Sequence, residues 1–576
     1  MEKIWLKHYD PTVPEHLDYP QQPLHVNLER AAREYPQSTA TIYGAVVEPL
    51  GSRLMDARLT YQQLNDATDR LAAGLQRLGV KKGDRVGVLM PNIPQFIMAY
   101  YASLKIGAVV VPTNPLYTAR EVEYQMNNSG AETLITISLF YPLVQEIRPK
   151  TSLKHVIVTN VKEYFPGLLK LLFTLALEKK LGHRADISGD ANTYWFQDFL
   201  KSAPTRPEPV DVQPEDLAVL MYTGGTTGVS KGAMLTHANL VANVVQAEAW
   251  LVKVQRGQES VMTVLPLFHS FGMTCCMNIA VYLASAMILI PNPRDLHHVL
   301  KSIVRHRPTL YPGVPTMYVA INNFPGIEQY DLSSIRACIS GAAGLPVEVH
   351  QRFTTLTGAK LIEGYGLSEA SPVVTGNPLY GQNKVGTIGI PWPDTEVKIM
   401  DLTTGETEMP LGEAGELVCR GPQVMKGYWK MPEETAMVLR TDAEGKTWLY
   451  TGDIARMDED GYFYIVDRKK ELIKPGGYQV WPREVEEVLA ANPKVKEVAV
   501  AGIPDPYRGE TVKAWIVLKP GESMTEDEVK EWCKDRLAKF KIPTHVEFRE
   551  GELPKTTVGK ILRRELVRQH KEATGG

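Results

Sequence analysis

Residues 222–232 read Tyr-Thr-Gly-Gly-Thr-Thr-Gly-Val-Ser-Lys-Gly and follow an apolar run. Gly224, Gly225, Gly228 and Gly232 allow backbone N–H groups to turn towards an anion, Thr223, Thr226, Thr227 and Ser230 add hydroxyl donors, and Lys231 adds positive charge. That chemistry suits phosphate. The stretch is not a Walker A loop, which needs Gly-x-x-x-x-Gly-Lys followed by Ser or Thr; here Lys231 lies between Ser230 and Gly232. Residues 217–222 read as a strand, and residues 231–236 alternate, with Ala233 and Leu235 on one side, so the loop is predicted to join two strands. A helix follows, with Thr236 as N-cap and Leu240, Val241, Val244 and Val245 at helical spacing. A plain surface hairpin is the competing reading, and the density of donors ending in Lys-Gly weighs against it.

Other positions carry chemistry too. His269 closes Leu-Pro-Leu-Phe-His at 265–269; residues 340–344 read Ser-Gly-Ala-Ala-Gly; residues 364–369 read Gly-Tyr-Gly-Leu-Ser-Glu. Further on come Tyr-Thr-Gly-Asp at 450–453, Asp467-Arg468, Lys-Pro-Gly-Gly-Tyr-Gln at 474–479 and Pro-Lys-Thr-Thr-Val-Gly-Lys at 554–560.

The elements that must position them form more than one domain, because 576 residues exceed an ordinary single domain. Hydrophobic residues make up 44% and charged residues 22%, a globular composition. Residues 60–135 alternate helical and strand patterns, which predicts an α/β body. From about residue 385 short strands, turns and acidic loops predict a β-rich subdomain to about 466. A boundary is expected at 468–469, dividing a large body (1–468) from a small α+β unit (469–576). In that unit Pro482 opens a helix, residues 495–502 and 511–518 read as strands, and residues 525–528 form a capping box.

The formal charge is −3, from 63 basic and 66 acidic residues, so nothing global argues for nucleic acid, and an anionic ligand must be held locally. The five cysteines make no C-x-x-C pair and lack metal-ligand spacing, which argues for a reducing compartment and against structural zinc. The amino terminus lacks a signal-peptide core, and no segment reaches the roughly 20 apolar residues of a membrane span. The expectation is a cytoplasmic protein. Residues 165–177, bracketed by Lys162, Lys170, Lys179 and Lys180, read either as a helix on the inner face of an anionic membrane or as one packed on the body.

Taken in order, these motifs resemble the adenylate-forming superfamily of acyl-CoA synthetases, luciferase-like enzymes and peptide-synthetase adenylation domains. The opening Trp5-Leu-Lys-His-Tyr and the basic apolar insertion at 161–200 look most like bacterial long-chain fatty-acid CoA ligases. The resemblance implies a large N-terminal α/β body with a β-rich subdomain and a mobile C-terminal domain. It implies ATP, Mg²⁺ and CoA, with a fatty acid as the fourth participant and no nucleic acid; a homodimer stays open. Such enzymes join a carboxylate to the α-phosphate of ATP, release pyrophosphate, and then let a thiol displace AMP.

By the resemblance, the loop holds the β- and γ-phosphates, Glu369 binds Mg²⁺ and Ser368 donates to the α-phosphate, where many relatives carry Thr. Gly341, Ala342, Ala343, Gly364 and Gly366 would border adenine with Tyr365 on its face; Asp453 would accept the ribose hydroxyls and Arg468 reach ribose or phosphate. Lys560 would bridge the fatty carboxylate and the α-phosphate, and Lys474 would serve thioester formation. One orientation cannot present both lysines, so Lys470 is expected to be a hinge, with Gly476 and Gly477 leaving room for pantetheine. His269 would touch substrate or gate the two states. Phe271, Met273, Tyr311, Val314 and Val373 fall where relatives line the acyl pocket, though lone apolar residues are commonly plain core. Medium-chain and aryl-acid (4-coumarate-like) ligases share every nucleotide motif. A luciferase-like monooxygenase and an adenylation enzyme loading a carrier protein are the alternatives from other classes.

Overall fold

A computed structural model describes residues 3–47, 53–223, 230–468, 471–475, 480–556 and 561–574. The chain divides into two compact units: Trp5–Glu396 with Arg420–Leu449, and Met1–Ile4 with Val397–Cys419 and Tyr450–Gly576. The boundary expected at 468–469 lies inside the second, smaller unit.

In the larger unit one sheet runs in the order Thr193–Trp195, His155–Thr159, Thr133–Ile137, Arg85–Leu89, Val109–Thr113, Leu217–Thr223, Lys231–Thr236. All its neighbours pair in parallel except the last two, which are antiparallel. Val86, Val88, Leu134, Ile135, Val156 and Val158 are fully buried, as expected where both faces of a parallel sheet are covered. A second sheet has Ser260–Thr263, Ala286–Leu289, Leu310–Gly313, Ala337–Ser340 and Lys360–Gly366 in parallel. The hairpin Thr39–Val47 with Arg53–Thr60 closes one edge, and Val373–Gly376 followed by the short strand Ile390–Pro391 the other, both antiparallel. The helix Tyr61–Arg77 starts at a Thr60/Gln63 capping box and packs on Pro94–Lys105, which is buried along its whole length.

In the smaller unit residues 453–457, the end of the strand Thr447–Met457, pair antiparallel with Phe463–Arg468. Val495–Asp505, Gly509–Leu518 and His545–Phe548 form a separate sheet. Pro482 stands in the first turn of Pro482–Ala490, and Thr525 caps Glu526–Lys534 with a complete capping box, both as the sequence predicts. Asp467 joins the strand to the helix, accepting from Arg468 N–H and Arg483 N–H, each at 2.7 Å.

Candidate active site

The phosphate-loop candidate is a hairpin, as the alternation of residues 231–236 requires. Leu217–Thr223 and Lys231–Thr236 are antiparallel, with Tyr222 opposite Gly232 and Thr223 opposite Lys231. Thr236 then caps the helix His237–Leu251. The Ser230 hydroxyl donates to Thr223 O at 2.7 Å, across the base of the strand pair. Tyr124 Oη donates to Ser230 O at 3.0 Å from the neighbouring helix. Gly224, Gly225, Thr226, Thr227 and Gly228 lie outside the described residues.

Lys231 is engaged by two residues that the sequence reading missed. Its Nζ is ion-paired with Glu434 and lies 5.2 Å from the Tyr428 ring centroid. Tyr428 Oη in turn donates to Glu369 Oε1 at 2.7 Å. Burial, reinforced by the charge of Glu369, raises the phenol far above its ordinary range, so it stays a donor. The main chain arranges this contact. Residues 425–429 run along the free edge of Lys231–Thr236, through Met234 N–H to Gly427 O (2.8 Å), Lys426 N–H to Met234 O (2.9 Å) and Trp429 N–H to Gly232 O (2.8 Å). Met425 N–H reaches Glu369 O at 2.7 Å. The one sequence signal was the Lys-Gly-Tyr-Trp run at 426–429, whose Gly427 has φ +138° and whose Cβ would stand 2.7 Å from Thr435.

Glu369 and Ser368 occupy a single turn, Ser368–Ala370, just beyond the strand Lys360–Gly366. Ser368 Oγ lies 3.1 Å from Ser270 Oγ. His269 precedes Ser270, and its Nδ1 accepts from Phe271 N–H at 3.3 Å. Burial lowers the imidazole to about 4, so the neutral ring carries its proton on Nε2 and remains a donor near neutral pH. The Phe271 ring stands 3.1 Å from where a Cβ on Gly341 would be, joining this wall to the 340–344 loop. Ala342 has φ +70°, a left-handed conformation costly for a residue with a Cβ, and with Ala343 it is exposed. Gly366 admits no side chain, since a Cβ would lie 2.2 Å from Pro372 O. Contacts therefore link Lys231, Tyr428 and Glu369 in one series, and Ser368, Ser270, His269, Phe271 and Gly341 in its continuation. Gly364 and Tyr365 lie on the same strand end, half-buried.

In the smaller unit Asp453, buried, faces Arg468 across the strand pair, with Nε to Oδ1 at 2.9 Å. Lys474 is exposed, and its backbone N–H donates to Glu510 Oε2 at 2.9 Å. Lys470, Gly476, Gly477 and Lys560 lie outside the described residues.

An apolar cavity of about 50 Å³ lies beside the helix His237–Leu251. Ala247, Trp250, Leu310, Ala337, Ile362 and Trp392 are among its walls. Trp250 Nε1 donates to Asn377 O at 3.0 Å, and its ring centroid is 5.9 Å from that of Trp392. None of Phe271, Met273, Tyr311, Val314 and Val373 lines it. Leu310 and Pro312 face this cavity, whereas Tyr311 between them turns to Tyr318 and Phe353, with centroids at 5.8 and 6.3 Å.

Among the described residues no group of three or more His, Cys, Asp and Glu side chains could hold a metal ion. Glu369 fits Mg²⁺ in another way, since that ion is commonly held by one or two carboxylates together with substrate phosphates.

Residues 28–429 match the family of AMP-binding enzymes, and residues 484–560 match the AMP-binding enzyme C-terminal domain. A long-chain-fatty-acid–CoA ligase of Bacillus subtilis (strain 168) is 45% identical over 574 residues, covering 99% of each chain. One from Salmonella typhimurium is 40% identical, covering 98% of each. Among solved structures, the anthranilate CoA ligase AuaEII in complex with anthranoyl-AMP aligns with a TM-score of 0.81 at 28% identity, covering 97% of this chain and 99% of the other. With both halves matched in order, the chain belongs to the AMP-binding enzyme family, within the adenylate-forming superfamily.

Proposed function

We propose that this AMP-forming acyl-CoA synthetase is a long-chain fatty acid–CoA ligase, and the observation that carries the reading is the full-length similarity to the Bacillus ligase. In the first step a fatty carboxylate oxygen attacks the α-phosphorus of ATP, and the bond to the bridging oxygen breaks, releasing pyrophosphate. In the second the CoA thiolate attacks the acyl carbon, and AMP leaves with the oxygen that joined them.

The larger unit supplies the groups that face the β- and γ-phosphates in the first step. Lys231 exchanges Glu434 for the β- and γ-phosphates, with the loop N–H groups and Thr223 beside it. Ser368 donates to the α-phosphate, and the His269 Nε2–H donates towards the incoming carboxylate. Glu369, oriented by Tyr428, would hold Mg²⁺, which neutralises charge on the phosphate oxygens when bound. Gly341, Ala342, Ala343, Gly364 and Gly366 border adenine with Tyr365 on its face, Asp453 accepts the ribose hydroxyls, and Arg468 reaches ribose or phosphate. Lys560 bridges carboxylate and α-phosphate; Lys474 replaces it for thioester formation when residues 469–576 turn about Lys470, and Gly476 and Gly477 leave room for pantetheine. The acyl chain enters the cavity beside Trp250. At about 50 Å³ that cavity has room for only a few water molecules, so a long chain enters by displacing side chains.

All five cysteines are buried free thiols, which supports a reducing, cytoplasmic setting. Among the described residues no helix is long and apolar enough to cross a membrane. Peripheral membrane contact and a homodimer are the assemblies this reading admits.

The test is ATP–pyrophosphate exchange without CoA across acetate, octanoate, palmitate and 4-coumarate, followed by thioester assay with CoA. A palmitate optimum with acyl-CoA product is expected. An octanoate or 4-coumarate optimum would move the protein to another branch of ligases, and exchange without thioester would refute CoA as acceptor.

A further inference from the structure

The helix Gly167–Leu172 continues through the wider turn Phe173–Leu177 and presents leucine to solvent. Leu168 is 54% exposed, Leu171 55% and Leu175 76%, at a spacing that puts them on one face; Leu177 (41%) and Leu181 (49%) are exposed further along the same segment. Leu139, at 37%, adjoins it, 3.3 Å from where a Cβ on Gly182 would stand.

The opposite side of this helix is fastened to the body. Leu169 and Phe173 are buried, and the Phe173 ring lies 5.8 Å from Phe165 and 5.5 Å from His183 between centroids. Lys162 Nζ pairs with Glu178 at 2.7 Å and donates to Thr174 Oγ1 at 3.0 Å, while Asn160 Nδ2 donates to His183 O at 2.9 Å. The outward leucines therefore belong to a mounted face whose inner side is already packed.

Its charge indicates the occupant. Lys170, Lys179, Lys180 and Arg184 are exposed around the leucines, and the sole acidic residue from 167 to 184, Glu178, is neutralised by Lys162. A chain of net charge −3 thus carries a locally cationic, apolar patch, complementary to acidic lipid headgroups over an acyl layer. We infer that residues 167–184 dock the protein on the surface of an anionic lipid bilayer. The geometry stands by itself; the purpose, delivery of a membrane-held acid to the ligase, rests on the function proposed above.

The test is co-sedimentation of the full chain with phosphatidylcholine vesicles, with and without one quarter phosphatidylglycerol. The wild type is expected to sediment with the anionic vesicles and to be released by 0.5 M salt. Leu168→Ser/Leu171→Ser/Leu175→Ser should bind at least tenfold more weakly. Lys170→Gln/Lys179→Gln/Lys180→Gln should lose on the order of 100-fold, at about fivefold per basic residue. Both variants should keep the wild-type circular dichroism and octanoate exchange. Failure of the wild type to sediment, equal binding to neutral vesicles, or unchanged binding by the leucine variant would overturn the inference. So would a wild-type dimer that the leucine variant converts to monomer without vesicle binding, which would make a second copy the occupant. Vesicle binding by a protein that forms no palmitoyl thioester would leave the docking face standing and refute the function.

Discussion

Tyr428→Phe separates the phenol hydroxyl from everything else this side chain does. The ring remains, so the aromatic face 5.2 Å from Lys231 Nζ is kept, while the 2.7 Å hydrogen bond to Glu369 is lost. A hydrogen bond to a carboxylate contributes about 1.5–3 kcal/mol, and each 1.4 kcal/mol is a factor of ten, so adenylation should fall by roughly 10- to 100-fold. Because burial keeps the phenol protonated across the working range, the loss should not vary between pH 6 and 9. The assay is ATP–pyrophosphate exchange with palmitate, without CoA, over a series of Mg²⁺ concentrations. If Tyr428 orients Glu369 as a metal ligand, the Mg²⁺ needed for half-maximal exchange should rise, with the melting temperature nearly unchanged. Exchange within twofold of wild type at every Mg²⁺ concentration would refute the argument, as would a loss matched by unfolding with no change in Mg²⁺ dependence.

Glu434→Gln removes the anion that Lys231 must release to bind phosphate; the pair is partly exposed, at 13% and 32%, so the KM for ATP should fall by a modest factor, about fivefold or less, and an increase would show Glu434 to be a positioning group instead. Lys560→Ala should lower exchange by about 100-fold or more while preformed acyl-adenylate still reacts with CoA, and Lys474→Ala should do the reverse; equal loss of both half-reactions in either variant would refute the division of labour. Ala337→Leu narrows the cavity beside Trp250 and should lower kcat/KM for palmitate relative to octanoate by about tenfold, at a stability cost of about 1–3 kcal/mol; an unchanged ratio would place the acyl chain elsewhere. His25 and His237, buried beside one another, are lowered by burial to about 4 and about 3, so the unfolded chain takes up their protons first. Stability should be full above about pH 6.5 and decline as pH falls towards these values, by about 2 kcal/mol for each histidine at pH 5. Urea midpoints equal at pH 7.5 and 5, or a His237→Gln variant with an unaltered pH slope, would show that the two imidazoles do not carry this dependence.

What the sequence made legible follows from where a periodic pattern has one meaning. Ala233 and Leu235 alternate beside a glycine-rich turn, and Thr236 stands where an N-cap is needed, so the hairpin and its helix could be read directly. The cavity could not. Leu310–Gly313 and Ala337–Ser340 are buried on both faces, and in such strands an apolar run does not say which residue faces which side. Burial alone therefore does not say that Leu310 and Pro312, and not Tyr311 between them, line the cavity. Glu434 and Tyr428 were illegible for a different reason. Their meeting with Lys231 and Glu369 depends on main-chain pairing of residues 426–429 with a strand about 200 positions earlier, and such backbone hydrogen bonds leave no residue-type signature beyond the glycine at 427. The same limit governs residues 167–181. Leu168, Leu169, Leu171, Phe173 and Leu175 supply apolar atoms on both sides of one helix, so composition allowed it to rest on the protein or on lipid. Only tertiary packing separates Leu169 and Phe173, which the body covers, from Leu168, Leu171 and Leu175, which it leaves outside. An apolar surplus on a helix that is already anchored marks a second surface to be covered, and its sequence records the surplus without saying which side the fold has used.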